Sequence, residues 1–360
     1  MSTDASFDDQ PLADFFGADP YARPERTEDR VPRDRFDKPR ILPPGKTMPM
    51  DPDKRDKVLR TYFRPSGWVE LLEDHYKLDR WNERRVAEGF VVDRGLRAEW
   101  VTAGQEEDES GVKDRAVIDA RNDIVQRAKA RAGTNVKSSI GTALHTVTER
   151  HDLGLPNVNL PEEYMRDLDE WKRLTAPLEI LHVECFVVED HYRLAGTFDR
   201  LVRYHEPCSN CGKHVRVLDL KGGQGDKVTY EGMKIGSQLA IYAHSQFYDP
   251  VTGARTPIED MCLCRAIVVD LPAGSGQGAL RWVNIGQAWE EAVSLAHTVR
   301  EIRKKKNWWL DFTPTLDLMP LIASATTTEE LNGIWSTYKG IWRPDHTAAG
   351  NARLKELGKK

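Results

Sequence analysis

Three runs decide the fold: Leu181–Asp190 (LHVECFVVED), Tyr192–Tyr204 (YRLAGTFDRLVRY) and Val215–Lys221 (VRVLDLK). β-Branched and aromatic residues dominate each run, and Pro, Ser, Asn and Gly separate the second from the third, so they read as consecutive strands. Working outward, Ser138–His151 reads as a helix opened by Ser139 or Thr142, and Tyr230–Tyr248 as another. Met261–Leu271 and Leu280–Ile285 then read as a hairpin across PAGSGQG, with Gln287–Lys306 a final helix. The order helix, three strands, helix, two strands, helix predicts an α/β domain, a mixed sheet with helices on its faces.

The flanks differ from this centre. Nine of the twenty prolines lie in the first 52 residues, mixed with Asp, Glu and Arg, so residues 1–52 read as a disordered arm. The arm holds Pro43-Pro44-Gly45-Lys46-Thr47, but Arg40 stands where a phosphate-binding loop needs glycine, and prolines follow where it needs a helix. Residues 53–137 read as helical. Trp68, Leu71, Leu72, His75 and Leu78 recur at helix spacing, and Val117, Ile118, Ile124 and Val125 share one side of a helix over Asp114–Ala132. The core is expected over 138–306 and a helical extension over 307–360, including Thr328–Trp342.

Composition narrows the function. Of 360 residues 39% are apolar and 30% charged, enough for a sizeable core. Apolar runs such as Ala266–Val269 are far too short to span a membrane, and MSTDASFDDQ carries acid where a secretory signal carries base, so a cytoplasmic protein is expected. Five cysteines in a chain of this size do not suggest a disulfide framework. With a net charge of −5, a nucleic-acid partner would need a local basic surface.

The candidate chemistry centres on Asp199, Asp219 and Lys221. Side chains alternate along a strand, so Asp219 and Lys221 point the same way. If the strands pair as a hairpin, Asp199 lies beside Asp219. Two ionised carboxylates there repel unless a hard divalent cation such as magnesium or manganese neutralises them. With Lys221 alongside, that is an assembly for attacking a phosphodiester. The alternative is an ordinary Asp–Lys ion pair at a strand end. Glu184 is an acid in a strand that otherwise reads as core, and must be paired or bind metal. His145 stands on an apolar helix stretch, where a ligand and a satisfied core histidine are both open. Lys234, Gln238 and Tyr242 recur at four-residue spacing on one helix face, a partner-binding stripe or a solvated one.

In chain order these residues read GTALH, VE, GTFDR, DLK and QLAIYA over about residues 138–250. That set resembles the RecB-type branch of the PD-(D/E)XK nuclease superfamily, and implies a restriction-endonuclease-like fold and metal-dependent DNA cleavage. The resemblance implies that Asp199, Asp219, His145 and the carbonyl of Leu220 are metal ligands. It makes Lys221 the catalytic lysine, assigns Gln238 and Tyr242 to the Q-x-x-x-Y signature that supports the site and contacts DNA, and matches Glu184 to the acid of the first core strand. The helical flanks resemble exonuclease-like proteins of actinobacterial phages. Relatives with an iron–sulfur cluster place one cysteine before the core and three near the C-terminus. Here none precedes Cys185 and none follows Cys264, so no such cluster is expected.

Cys208 and Cys211 in HEPCSNCGKH form half a zinc site instead, flanked by His205 and His214 at matching intervals. Cys262 and Cys264, read on a strand, reach it only if the hairpin tip folds back; the alternative is a turn with two free thiols. Arg127, Lys129 and Arg131, and the run Arg303–Lys306 before Trp308 and Trp309, are diffuse basic signals. The expectation is a magnesium- or manganese-dependent DNA exonuclease of phage or bacterial recombination, repair or degradation, with DNA as partner and a recombination or replication protein as a further one. An endonuclease, a non-catalytic DNA-binding or assembly protein on the same fold, and a zinc-organised interaction module are the alternatives. The oligomeric state is left open by the sequence, and no nucleotide-binding motif supports a motor in this chain.

Overall fold

The computed structural model describes residues 23–105, 115–157, 159–223, 231–306, 308 and 316–358. Two short strands, β1 (Arg40–Ile41) and β2 (Arg60–Thr61), pair antiparallel. Three helices follow, α1 (Tyr76–Val92), α2 (Arg94–Gln105) and α3 (Arg115–Arg131). Helices α4 (Thr134–Asp152) and α5 (Glu162–Thr175) lead into β3 (Leu178–Glu189), β4 (Leu194–Tyr204) and β5 (Val215–Lys221). After α6 (Gly232–Ala243) come β6 (Gln246–Tyr248), β7 (Arg255–Thr256), β8 (Arg265–Asp270) and β9 (Ala279–Asn284). A π-helical stretch, Ala288–Val293, runs into α7 (Ser294–Lys304).

One seven-stranded sheet forms in the order β7-β6-β3-β4-β5-β8-β9. Every pairing in it is antiparallel except β5 with β8. Parallel neighbours need a long crossover, which α6 and the β6–β7 segment supply. This is the mixed α/β sheet flanked by helices that the strand pattern predicts, and the restriction-endonuclease-like fold that the resemblance implies. Alternation along β5 divides its side chains between two cores: Val215 and Val217 pack with Leu239, Ile241 and Tyr242 of α6, while Leu218 and Leu220 pack with Leu144 of α4 and Trp171 of α5. Asp219 and Lys221 follow the first set in register.

Three sequence expectations are corrected. The disordered arm expected over 1–52 is packed from residue 23 onward; residues 1–22 lie outside the described residues. Val31 and Ile41 bury with Tyr62, Phe186, Val188 and Tyr248, and Tyr248 Oη accepts from the Leu42 amide at 3.1 Å. Anchoring apolar residues that lack any period were invisible to pattern reading. The helix read from Trp68 to Leu78 is broken: Trp68 ends a short turn (Pro65–Trp68) and enters the main core, and α1 starts afresh where Asp74 accepts the Tyr76 amide. Finally, α6 stops at Ala243, because Phe247 and Gln246 pair with Val187 and Val188 of β3. Tyr230, the expected start of that helix, lies outside the described residues.

Residues Glu301–Lys360 form a second unit. Helices α8 (Met319–Ser324), α9 (Thr328–Tyr338) and α10 (Pro344–Leu357) surround Leu318, Ile322, Ala325 and Leu331. The side chain of Thr327 caps α9 by accepting from Glu330 N at 3.1 Å. Trp308 is exposed, and Trp309 lies outside the described residues.

Candidate active site

Glu184 and Asp199 are brought together by strand register. Val183 pairs with Arg200 and Cys185 with Phe198, so the two acids stand opposite each other on β3 and β4. Glu184 holds a left-handed backbone, φ 51°, inside a strand. For a residue with a Cβ that costs on the order of 1–3 kcal/mol and re-aims the side chain. Upstream, Leu181 is an extra residue in the ladder, a bulge that sets this register.

The β4–β5 ladder begins at Arg200–Leu218. One step further, the Asp199 side chain takes the place of main-chain pairing: Oδ2 accepts from Leu220 N at 2.8 Å. The same oxygen lies 3.4 Å from His145 Nδ1 on α4. His145, Glu184 and Asp199 each offer one ligand atom within 4.8 Å of the others. Asp219 is buried, and Lys221 Nζ sits 2.7 Å from its Oδ2. Lys221 is thus the partner of this buried oxygen. Of Leu220, the atom seen at the site is its amide, which orients Asp199.

Electrostatics separate these groups. Burial pushes the Glu184 carboxyl up to about 8, helped by the charge of Asp199 and opposed by Arg26. Asp219 is also raised, by burial, against the pull of Lys221. Asp199 goes the other way: burial would raise it, but His145, Arg200, the Leu220 amide and Lys221 together hold it below the usual carboxylate range. Lys221 is raised, because Asp219 and Asp199 outweigh its burial. The donors are carboxylate oxygens and one imidazole, within ligand reach of one another. This set fits a hard divalent cation such as magnesium or manganese.

Gln238 Nε2 donates to Tyr242 Oη at 3.2 Å on the face of α6 that meets the sheet. Gly196 lets this wall close: a Cβ there would lie 2.9 Å from Pro65 Cδ. Lys234, on the same stripe, does not join them; its ammonium pairs with Glu73 at 3.2 Å.

Several functional side chains escaped the sequence reading. A cavity of ≈ 400 Å³ is lined by His145, Glu184, Asp199 and Tyr242, and by Arg23, Arg26, Glu28, Arg33 and Arg64. Arg26 Nη1 lies 3.1 Å from Glu184 Oε2, and its Nε donates to Glu149 Oε1 at 3.0 Å. Buried Arg200 donates from Nε to Asp152 Oδ2 at 2.6 Å and lies 3.5 Å from Glu184 Oε1. One signal was readable: His145, Glu149 and Asp152 recur at helix spacing on α4, a stripe of polar groups facing the sheet. The arm arginines gave none.

The histidines expected to flank Cys208 and Cys211 make other contacts. His205 is exposed and lies 3.7 Å from Glu206, and His214 Nδ1 meets the Tyr204 carbonyl at 3.1 Å. The groups beside Cys208 and Cys211 are Cys262 and Cys264 instead. These two lie on the bend before β8 rather than on a strand, which is why both sulfurs reach the knuckle.

Among the described residues, no helix is long and apolar enough to cross a membrane. No curated protein matches the chain. Residues 158–245 match the family model of the PD-(D/E)XK nuclease superfamily. That span runs from α5 through α6 and carries Glu184, Asp199, Asp219, Lys221, Gln238 and Tyr242. It is this segment, with its two aspartates and lysine on adjoining strands, that is similar to the PD-(D/E)XK nuclease superfamily.

Proposed function

We propose that the chain is a divalent-metal-dependent deoxyribonuclease that works as an exonuclease in phage or bacterial DNA recombination, repair or degradation. The observation that carries this reading is the convergence of His145, Glu184 and Asp199 at a cavity that four arginines also line. Asp199, Asp219, Glu184 and His145 would hold the cation. When bound, it supplies Lewis acidity for hydrolysis of a phosphodiester.

The chain's own groups do the rest. Lys221, held cationic by Asp219, contributes positive charge beside the scissile phosphate and is a poor base in this state. The Leu220 amide fixes the Asp199 carboxylate. Tyr242 is pushed above its ordinary range by burial, so its hydroxyl stays neutral and can donate. Arg23, Arg26, Arg33 and Arg64 supply phosphate contacts, which position the backbone without reading sequence.

The test incubates full-length protein with end-labelled linear DNA, single- and double-stranded, and with covalently closed circles, in magnesium, manganese or EDTA. Metal-dependent release of short products from linear DNA, with circles spared and activity lost in Asp219→Ala and Lys221→Ala, is expected. Cutting of circles would replace exonuclease by endonuclease. No cleavage with any metal, by folded protein that still binds DNA, would sink the enzyme reading.

A further inference from the structure

Away from the cavity, the loop between β4 and β5 meets the segment before β8. Cys208, Cys211, Cys262 and Cys264 each place Sγ within 4.8 Å of the others. Cys211 and Cys262 sulfurs are 3.6 Å apart, well beyond a bonded pair of about 2.05 Å, so these are thiols and not disulfides.

The local backbone is built around them. The Cys208 carbonyl accepts from Gly212 N at 2.7 Å, and Cys208 N donates to the Lys213 carbonyl at 2.9 Å. Gly212 has φ +69°, which a side chain would resist. This tight turn aims the amides of Asn210 and Cys211 at Cys208 Sγ. Across from it, Arg265 N donates to Cys262 Sγ at 3.4 Å. Amides directed at sulfur stabilise thiolates, as the groups around a metal's ligands do.

The geometry points to a single structural zinc ion held by Cys208, Cys211, Cys262 and Cys264. Tetrahedral zinc with Zn–S of about 2.3 Å puts its sulfurs about 3.8 Å apart, matching the observed packing. An iron–sulfur cluster would hold its cysteines farther apart, because several metal atoms and sulfides lie between them. Four thiolates close the coordination shell, so the ion has no open position for substrate.

Its place in the fold gives its work. Val215 N donates to the Asp260 carbonyl at 3.2 Å, and Cys262 N to the Val215 carbonyl at 2.8 Å. The ion would therefore staple the start of β5 to the start of β8, the parallel strand pair of the sheet among the described residues. Parallel pairing is slightly weaker per residue than antiparallel pairing. The far end of β5 carries Asp219 and Lys221, so the staple sets the strand that bears them. This inference is independent of whether the protein cleaves DNA.

The test begins with metal analysis of the full-length protein purified without chelator. One zinc per chain is expected, with little iron and no sulfide. Cobalt titrated into reduced, zinc-stripped protein should give the intense visible bands and sulfur-to-metal charge transfer of a tetrahedral thiolate site. Cys262→Ser and Cys264→Ser should each weaken zinc binding about tenfold or more and lower the melting temperature, while His205→Ala and His214→Ala keep the full complement. Zinc lost in the histidine variants but kept in the Cys262 and Cys264 variants would overturn the four-cysteine assignment. Stoichiometric iron and sulfide would overturn it in favour of a cluster. If the serine variants fail to fold, the cobalt spectrum of the unmutated protein decides: no thiolate bands refutes the site.

Discussion

Replacing Glu184 by glutamine should remove a pH-dependent weakness of the metal-free protein. The Glu184 carboxyl is pushed from its ordinary 4.5 up to about 8, by burial first and by Asp199 second. Between those values the folded state keeps a proton that the unfolded chain releases. The unfolded state then binds fewer protons, so stability falls as pH rises through this window. Each pKa unit is worth about 1.4 kcal/mol, and the slope flattens near both pKa values, so the loss from about pH 5 to about pH 8 comes to about 3.5 kcal/mol. The side chain is nearly buried, so solvent screening removes little of this. Urea melts in EDTA, run across that range, measure it. Wild type should weaken by about 3.5 kcal/mol more than Glu184→Gln. Arg26 and Arg200 lose one contact in the variant but keep Glu149 and Asp152, so the difference in slope isolates the carboxyl. Magnesium or manganese at the alkaline end should restore much of the wild-type loss, because a cation replaces the proton. Parallel pH profiles for wild type and Glu184→Gln would refute the reasoning, showing that Glu184 is not held protonated.

Arg26→Ala leaves Glu149, whose side chain is 1% exposed, beside Glu184 without its cation. A loss of about 3–5 kcal/mol in chemical denaturation is expected, together with weaker DNA binding in a fluorescence titration. Trp171→Ala removes a fully buried ring that donates to Asp152 Oδ1 at 3.1 Å and lies under Arg200. It should cost about 3–5 kcal/mol, on the order of 10 °C by calorimetry. Gly196→Ala forces Pro65 away from the cavity wall and should destabilise by about 1–3 kcal/mol, with the larger effect on turnover. DNA affinity should fall steeply with salt in a filter-binding series, with Arg33→Ala making the slope shallower by about 1.

Much of the central layer was legible from local pattern. Strand β5 runs over Val215–Lys221, as its residues predict, because a buried strand writes its period of two directly into neighbouring side chains. The spacing of Asp219 and Lys221 gave their shared direction for the same reason. Gln238 and Tyr242 lie one helical turn apart and meet as that spacing requires. The polar stripe on α4 was present but was read only at His145.

What tertiary structure alone decided lies in pairs far apart in the chain. Arg26 and Glu149 are separated by 123 residues, and Cys211 and Cys262 by 51. No period links such residues. Arg26 sits in a proline-rich stretch that reads as unstructured, and only the burial of Val31 and Ile41 against the sheet brings its guanidinium over Glu184. The same holds for the cysteines: a Cys-x-x-Cys turn announces half a site, but its completion waits on β8 lying beside β5. Side-chain periodicity is set by bond geometry within a few residues, so sequence records it. Which distant charges and thiols meet is set by how the apolar faces close, and that is decided only when the sheet and its helices pack.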